Sequence, residues 1–380
     1  MLEKNILFTI TFNCFLLVQI LGISNRCVLK VDGLISETPQ QLCDFKSPDI
    51  PTIVDSKADN AFAKWIQMGA ADPMPVDTEN ESDSHDPRQN AGKNYDESLN
   101  YFGLHVEDAW KKGYNGSGIT IAVTDIGVSA DIVDLRKNLN MDLAYNFIDK
   151  TTDVSPEDID NNYKAESMRY IDHGNRCASI IAAEKGNGLC NAGIAFAGKV
   201  VPLKIFSLLH QYRTFILHTT GDIMGAALSY HNEDIHIYSN SWSPPTKFGP
   251  LDDAMKNAIF HGATRGRNEL GSIYVFPDGS DGITGSGHAN SIYTIAVNSV
   301  NIGGSLPKNP EVSACVITSG LGDGNRLTTN SMMTSSYNNA CVESFKGVSA
   351  AVAEVSAIIA LVLQARYRQF CYLICFVDIH

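Results

Sequence analysis

The chain has 380 residues, of which 44 % are hydrophobic and 19 % are charged, close to the average for soluble globular proteins. This composition excludes a mostly disordered chain, a collagen-like chain and a protein built of many membrane spans. The net charge of −13 argues against nucleic acid as a partner, because an acidic surface repels phosphates but attracts basic peptides. Nine cysteines without CxxC pairs indicate neither a disulfide scaffold nor a zinc site.

The N-terminus is typical of a secretory signal peptide. Lys4 precedes an apolar run over residues 6–23, and a polar stretch begins at Ser24, so we predict a signal peptide over residues 1–24. A retained signal anchor and a buried N-terminal helix are the alternatives. No other stretch reaches the ~20 apolar residues of a membrane helix, so no further integral span is predicted. Passage through the secretory pathway would allow disulfides, and glycans on the sequons at Asn80 and Asn115.

Further along the chain, apolar runs of strand length alternate with helical patterns. Residues 25–58 lack a clear period and are predicted to be a short propeptide remnant or a linker, and residues 76–100 are predicted to be an acidic loop. Helices are predicted over 105–112, 176–183, 253–263 and 350–364, and strands over 118–123, 235–238, 272–275 and 292–297. The alternation predicts an α/β fold with a mostly parallel sheet covered by helices on both faces.

Three polar residues stand at the ends of predicted elements. Asp125 follows the first strand, His173 precedes a helix, and Ser349 opens the apolar C-terminal helix. Functional groups collect beyond the carboxyl ends of parallel strands, and an Asp, a His and a Ser are the parts of a nucleophilic triad. Each residue alone could be a helix cap or a surface residue, so the combination and its order carry the prediction.

The residues around these three positions resemble the signature blocks of subtilisin-like serine proteases: Thr124-Asp125-Ile126-Gly127, His173-Gly174-Asn175-Arg176-Cys177-Ala178 and Gly347-Val348-Ser349-Ala350-Ala351. Further segments are similar to the kexin-like proprotein convertases, and Glu354 is similar to their neuroendocrine type-2 branch: Ala109-Trp110, Ile237-Tyr238-Ser239, Ser241-Trp242, Gly271-Ser272-Ile273-Tyr274-Val275 and Asn290-Ser291-Ile292-Tyr293-Thr294. The resemblance implies a subtilisin-like catalytic domain over residues 59–367, with protein or peptide substrates. Residues 368–380 have no counterpart, and we expect no β-sandwich P domain.

The sequence departs from that family around the scissile bond. Ser280 stands where the family has the Asn of the oxyanion hole, with Asp281 beside it, and Val348 replaces a Thr before the nucleophile. Losing one such donor typically costs about 10²–10³ in turnover. The backbone N–H of Ser349, at a helix N-terminus, remains.

From the resemblance we assign substrate binding to Ser241, Trp242, Ser243 and Ile126. The resemblance also implies that the substrate-binding residues have changed. Positions at which convertases use carboxylates to bind paired basic residues carry none here: Ile126, Ile171, Gly225, Thr246 and Ser286. Dibasic specificity is therefore in question, because a buried arginine needs a carboxylate partner. An apolar segment over 206–217 replaces a short loop near the cleft; it is a lid, a packed insertion or an error in gene prediction.

The resemblance further implies a structural calcium site and one disulfide. Asp59, Asp134 and Asn187 match calcium ligands of the family, with surface turns as the alternative. Cys190 and Cys341 match bridged positions, and Cys177 is expected to be a free, buried thiol. Together these features predict a serine endopeptidase of the secretory pathway or extracellular space. The alternative is a catalytically impaired pseudoprotease that binds peptides or a convertase.

Overall fold

The computed structural model describes residues 104–366, apart from gaps at 105, 159–163, 212–213, 244–249, 280–284, 301–305, 307–312 and 323–331. The helices within this part are α1 (Val106–Lys111), α2 (Val133–Arg136), α3 (Lys164–Ile171), α4 (His173–Ala182), α5 (Gly221–Leu228), α6 (Asp253–Glu269) and α7 (Val348–Ala365). The strands are β1 (Thr120–Asp125), β2 (Tyr145–Asn146), β3 (Lys199–Lys204), β4 (Ser207–Gln211), β5 (Thr214–His218), β6 (Ile237–Ser239), β7 (Ile273–Pro277), β8 (Thr294–Val300), β9 (Thr318–Leu321), β10 (Met332–Ser335) and β11 (Cys341–Phe345).

Seven parallel strands form the central sheet, in the order β2-β3-β1-β6-β7-β8-β9. Strand β1 lies inside the sheet between β3 and β6, which explains why its sequence is nearly continuous in apolar residues. Two antiparallel pairs, β4–β5 and β10–β11, stand apart from this sheet. The predicted α/β fold with a mostly parallel sheet is confirmed.

Alternate residues of the strands supply two hydrophobic layers. Ile121 and Val123 of β1 join the layer formed with α4 and α7, whereas Ala122 joins the layer formed with α5 and α6. The same division recurs in β7, where Ile273 and Val275 face one layer and Tyr274 and Phe276 face the other. Helices therefore cover both faces of the sheet, and its carboxyl edge is left for functional groups.

The boundaries of two helices differ from the prediction. Helix α4 begins at His173 and not at residue 176, and the backbone N–H of Arg176 already donates to the carbonyl oxygen of Asp172 at 3.2 Å. Helix α6 spans Asp253–Glu269, but Gly266, Arg267 and Asn268 have non-helical dihedral angles. Its regular part therefore ends near residue 263, the predicted boundary.

Helix α7 is the core helix of the molecule. By length and apolar composition alone it could cross a membrane, but most of its residues are buried against the sheet. Elsewhere in the described part of the chain no helix meets those criteria. The apolar character of α7 is explained by its position between the sheet and α4.

Candidate active site

Asp125 lies at the carboxyl end of β1 and is held there by two hydrogen bonds. Its Oδ1 accepts from the backbone N–H of Ile126 at 2.8 Å, and its Oδ2 lies 2.8 Å from His173 Nδ1. The carboxylate is buried, whereas about a quarter of the His173 side chain is exposed. Because a carboxylate accepts, Nδ1 carries the proton, and Nε2 is left to take a proton from a nucleophile.

The close approach of α4 to the end of β1 depends on glycine. A Cβ on Gly174 would lie 2.1 Å from the carbonyl oxygen of Gly127 and 3.2 Å from Asp125 Cβ. Gly127 itself has a φ of +124° and faces the carbonyl oxygen of Val154. These two glycines bring His173 within hydrogen-bond distance of Asp125, which is the physical reason for their place in the two sequence blocks.

The electrostatics of His173 follow from its two polar neighbours. Burial of the imidazole lowers its pKa, but the Asp125 carboxylate and Cys177 together outweigh burial and raise the pKa of His173 well above the usual value of 6.5. Asp125 is the cause that matters most for chemistry, because it stabilises the imidazolium that forms when His173 accepts a proton.

A buried network fixes the start of α4. Asp172, fully buried, accepts from Arg176 Nε at 2.7 Å, from Asn175 Nδ2 at 3.0 Å and from the backbone N–H of Tyr337 at 2.9 Å. The hydroxyl of Ser336 donates to the same carboxylate. Sequence analysis missed this residue, although its place directly before His173 was a usable signal.

Ser349 occupies the first turn of α7, after Gly347. Its Oγ donates to the carbonyl oxygen of Ser241 at 3.2 Å, and Ser241 Oγ donates back to the carbonyl oxygen of Ser349 at 3.0 Å. Among these described residues no hydrogen bond joins Ser349 to His173, so the expected direct contact is not formed in this state. The two segments are nevertheless adjacent, because the Phe345 ring lies 5.6 Å from that of His173.

The arrangement of Asp125, His173 and Ser349 at one end of a parallel sheet can be compared with known proteins. A family model described as the subtilase family matches residues 116–370. The chain belongs to the subtilase family. Its match to Furin-1 of Xenopus laevis is 30% identical over 270 residues, and its match to neuroendocrine convertase 2 of Caenorhabditis elegans is 32% identical over 270 residues. The resemblance to the kexin-like convertases is therefore confirmed.

These matches cover 69% of this chain but only 32% and 39% of the two relatives, so the chain spans about a third to two-fifths of their length. Among solved structures, a protease of Pseudoalteromonas arctica matches with a TM-score of 0.57 over 74% of this chain and 88% of that one. A cold adapted subtilisin-like serine proteinase matches with a TM-score of 0.52 over 69% and 81%. Both are 17% identical to this chain and show the subtilisin-like fold alone.

The residues assigned to substrate binding in this subtilase lie in two environments. Ser241 is nearly buried and holds Ser349, while Trp242 Nε1 donates to Thr124 Oγ1 at 3.0 Å and packs on Phe276. Ser243 is partly buried. Ile126 is only 1% exposed, so its side chain is packed inside the molecule and does not form an open wall of the cleft.

The residues assigned to the oxyanion region, Ser280 and Asp281, lie outside the described residues, as does Thr246. A neighbour that sequence analysis passed over is described. Asp278 follows β7 at the carboxyl edge and is fully buried; burial raises its pKa, which the hydrogen bond from Ser313 Oγ opposes. Within the described residues its Oδ2 has no hydrogen-bond partner. Asp278 therefore places a further buried carboxyl group at the carboxyl edge of the sheet.

The hydrogen bonds of the described residues do not match what the predicted calcium site requires. Asp59 lies outside them, and Asn187 Nδ2 donates to Asp134 Oδ1 at 2.7 Å. Ser335 Oγ donates to the second carboxylate oxygen, and Asn187 Oδ1 accepts from the backbone N–H of Leu189. Asn187 therefore presents its amide hydrogen to Asp134, whereas Ca²⁺ requires converging oxygens. The described donors do not form a calcium site as they stand.

The cysteines of the described region fall into two groups. A disulfide joins Cys190 to Cys341, with the two Cα atoms 5.1 Å apart. Cys177 is a buried thiol whose Sγ lies 3.9 Å from His173 Nδ1, and Cys315 is half-buried and also unbridged. The bridge fixes the strand that leads to Ser349.

The N-terminal predictions concern residues outside the described part: the signal peptide over 1–24, the segment over 25–58 and the sequon at Asn80. The tail over 368–380 lies outside it too. The sequon at Asn115 is described. The backbone N–H groups of Asn115 and Gly116 donate to Gln364 Oε1 at 2.7 and 2.8 Å, which leaves the Asn115 side chain partly exposed.

Proposed function

We propose that this subtilase is a serine endopeptidase that cleaves proteins or peptides. The observation that supports it best is the 2.8 Å hydrogen bond between a buried Asp125 and a partly exposed His173, near the helix whose first turn contains Ser349. Such a carboxylate fixes the imidazole tautomer and stabilises the imidazolium, which is what a general base in acyl transfer requires.

In the proposed mechanism the Ser349 side chain first rotates away from the carbonyl oxygen of Ser241. His173 Nε2 then takes the hydroxyl proton while Ser349 Oγ attacks the carbonyl carbon, and the same imidazole later protonates the leaving amine. Water, activated in the same way, hydrolyses the acyl-enzyme. The backbone N–H of Ser349, at the start of α7, is positioned to donate to the oxyanion.

We propose that the enzyme cleaves poorly after paired basic residues. Of the five altered pocket positions, the described ones are apolar or neutral: Ile126, Ile171, Gly225 and Ser286. Leaving a buried charge without its partner costs about 3–5 kcal/mol, which corresponds to roughly 10²–10³ or more in kcat/KM. A peptide library assayed at low and high ionic strength measures this. Dibasic selectivity that persists at high salt would contradict it, because the −13 net charge acts only at long range.

One observation favours the second candidate, a pseudoprotease that binds peptides or a convertase. The Ser349 hydroxyl is engaged by Ser241 and not by His173, and the usual oxyanion Asn is Ser280. A protein in which Ser349 never reaches His173 would keep the fold and lose the chemistry.

Labelling with a fluorophosphonate probe separates the two candidates. An endopeptidase is labelled at Ser349, and the Ser349→Ala variant is not. Ser129→Ala is the matched control, because Ser129 Oγ bonds only within its own turn in the described structure. A folded protein that does not label would overturn the endopeptidase and leave the binding protein.

We also propose a secretory location. Calcium is the proposed cofactor, because the family resemblance implies it. Expression in cultured animal cells should give a product shortened near Ser24 and, if Asn115 is glycosylated, sensitive to a glycosidase. To bind calcium, the Asp134 carboxylate would have to give up its hydrogen bond from Asn187 or from Ser335. Melting temperatures with calcium or with a chelator test this, and equal values would exclude a structural role.

A further inference from the structure

Strands β4 and β5, which contain most of the apolar segment over 206–217, form an antiparallel pair close to Asp125. Strand β3 runs next to β1, with Lys204 opposite Asp125, and the backbone N–H of Ile205 donates to the carbonyl oxygen of Asp125 at 2.9 Å. Strands β4 and β5 follow directly, paired from Ser207 with His218 to Gln211 with Thr214. We call these two strands the hairpin.

The inner side of the hairpin covers the two residues that adjoin the catalytic pair. Ile126 follows Asp125, Ile171 precedes His173 by two positions, and each is only 1% exposed. They share one hydrophobic cluster with Phe206 at the base of the hairpin and with Leu208 of β4. The Phe206 ring packs edge-on against Trp242 with centroids 5.7 Å apart.

Two further contacts attach the hairpin to the body of the molecule. The Phe215 ring lies 6.2 Å from that of Tyr170, at the end of α3. Glu157 Oε1 accepts from the backbone N–H of Leu208 at 3.4 Å and pairs with Lys204 Nζ at 3.3 Å. The hairpin is thus attached by Phe215 on one strand and by the backbone of Leu208 on the other, with the Glu157–Lys204 ion pair at its base.

The outer side of the hairpin has no such contacts. Leu209 and Ile216 stand directly opposite each other across the pair, and they are 47% and 45% exposed. Leu208 and Phe215 belong to the other face of the pair, and they pack toward the body of the molecule, whereas Leu217 on that same face is 40% exposed. This division supplies a matched control for any change to the inner side.

We propose that the hairpin is a specificity determinant that fills the subsite adjoining Asp125 and His173. This inference rests on the proposed function and deepens it. Aromatic groups already fill the space over Ile126 and Ile171, so a bound peptide must place a small residue there. A large apolar residue would have to displace Phe206 or Leu208 from the cluster that contains Ile126 and Ile171, and overpacking a filled cluster is destabilising.

Peptide binding to Ser349→Ala protein tests this without requiring catalysis. A set of peptides carries Ala or Leu at each position in turn, and their dissociation constants are compared by fluorescence anisotropy. The parent should reject Leu at one position, and Phe206→Ala or Leu208→Ala should raise affinity for Leu there about tenfold, the effect of opening a pocket for an apolar group. Ile216→Ala should leave the preference unchanged.

A second variant guards against misfolding of the single substitutions. Replacing residues 207–218 by a short Gly-Ser turn removes β4 and β5 and should relax the same position. A parent that accepts Leu at every position, inner-side variants with no gain, or an equal gain in Ile216→Ala would each overturn the proposal. Fluorophosphonate labelling of protein with Ser349 intact reports separately on the proposed function, so a catalytic failure is not mistaken for a failure of the hairpin.

Discussion

The acid–base behaviour of His173 sets the pH range in which Ser349 could react. His173 must be neutral to accept a proton, yet Asp125 and Cys177 outweigh burial and raise its pKa well above 6.5. Activity should therefore rise as pH increases through that raised value, and the acidic limb of kcat/KM should lie above the ordinary histidine range. An uncoupled histidine would place the limb near 6.5.

Asp125→Asn tests the origin of this shift. Without the carboxylate charge the imidazolium is less stable, so the acidic limb should move to lower pH. The kcat should fall by about 10⁴, the loss seen when the equivalent group of another serine protease is neutralised. The measurement is kcat/KM against pH for both proteins, with Asp131→Asn, an exposed position, as control. A limb that stays in place would mean that Asp125 does not govern His173.

At the scale of single elements, the sequence predicts best where one physical signal dominates. Strand β1 was found because it is apolar on both faces, and Asp125 then marks its carboxyl end. The type of structure formed by residues 206–217 could not be predicted, because its apolar residues, interrupted by polar ones such as His210 and Arg213, follow neither a helical nor a strand period. The burial of Ile126 could not be predicted either, since it depends on packing against residues from elsewhere in the chain, among them Ile171 and Phe206.

Helix α7 carries an acidic group in the core. Glu354 is fully buried, and burial raises its pKa well above its usual value, an effect that the hydrogen bond from the backbone N–H of Leu321 opposes. Within the described residues its Oε1 has no hydrogen-bond partner. The folded state therefore holds the Glu354 proton to a higher pH than the unfolded chain does.

Glu354→Gln should make the protein more stable at neutral and alkaline pH. Because the folded pKa is raised, the contribution of Glu354 is fully present below its unfolded value and is lost as pH rises through the folded value. Glutamine stays neutral and avoids this loss. Its melting temperature should equal that of the parent in acid and exceed it at higher pH, by roughly 2–4 °C for each kcal/mol gained. Glu107→Gln, at an exposed position, is the control, and parallel melting curves at all pH values would contradict the prediction.

On the scale of the whole molecule, the site is assembled from segments far apart in the chain. The chain order of Asp125, His173 and Ser349 and their positions at the ends of predicted elements indicate that they share one edge of the sheet, because parallel strands bring their carboxyl ends together. The contacts that hold these three residues in place could not be predicted from the sequence in the same way. Asp172 is hydrogen-bonded to Ser336 and Tyr337, which lie more than 160 residues away in the sequence. Nothing in the sequence around either partner indicates this contact.

The disulfide between Cys190 and Cys341 is the covalent tie among these segments. It closes a loop with a sequence separation of 151 residues and anchors β11, whose last residue, Phe345, contacts His173 shortly before the chain reaches Ser349. Cross-linking a loop of this length removes chain entropy from the unfolded state, an effect on the order of 3–5 kcal/mol. The bridge should therefore affect both global stability and the position of the nucleophile.

Replacing both cysteines, Cys190→Ala with Cys341→Ala, should lower the free energy of unfolding by about 3–5 kcal/mol. Urea unfolding measures that loss, and a slower reaction with the fluorophosphonate probe would show that β11 also positions Ser349. Cys315→Ser is the control, because its thiol is unbridged and partly exposed. Non-reducing peptide mapping checks the pairing itself. If Cys190 is recovered unpaired, or the double variant unfolds at the same urea concentration as the parent, the bridge does not hold the serine segment in place.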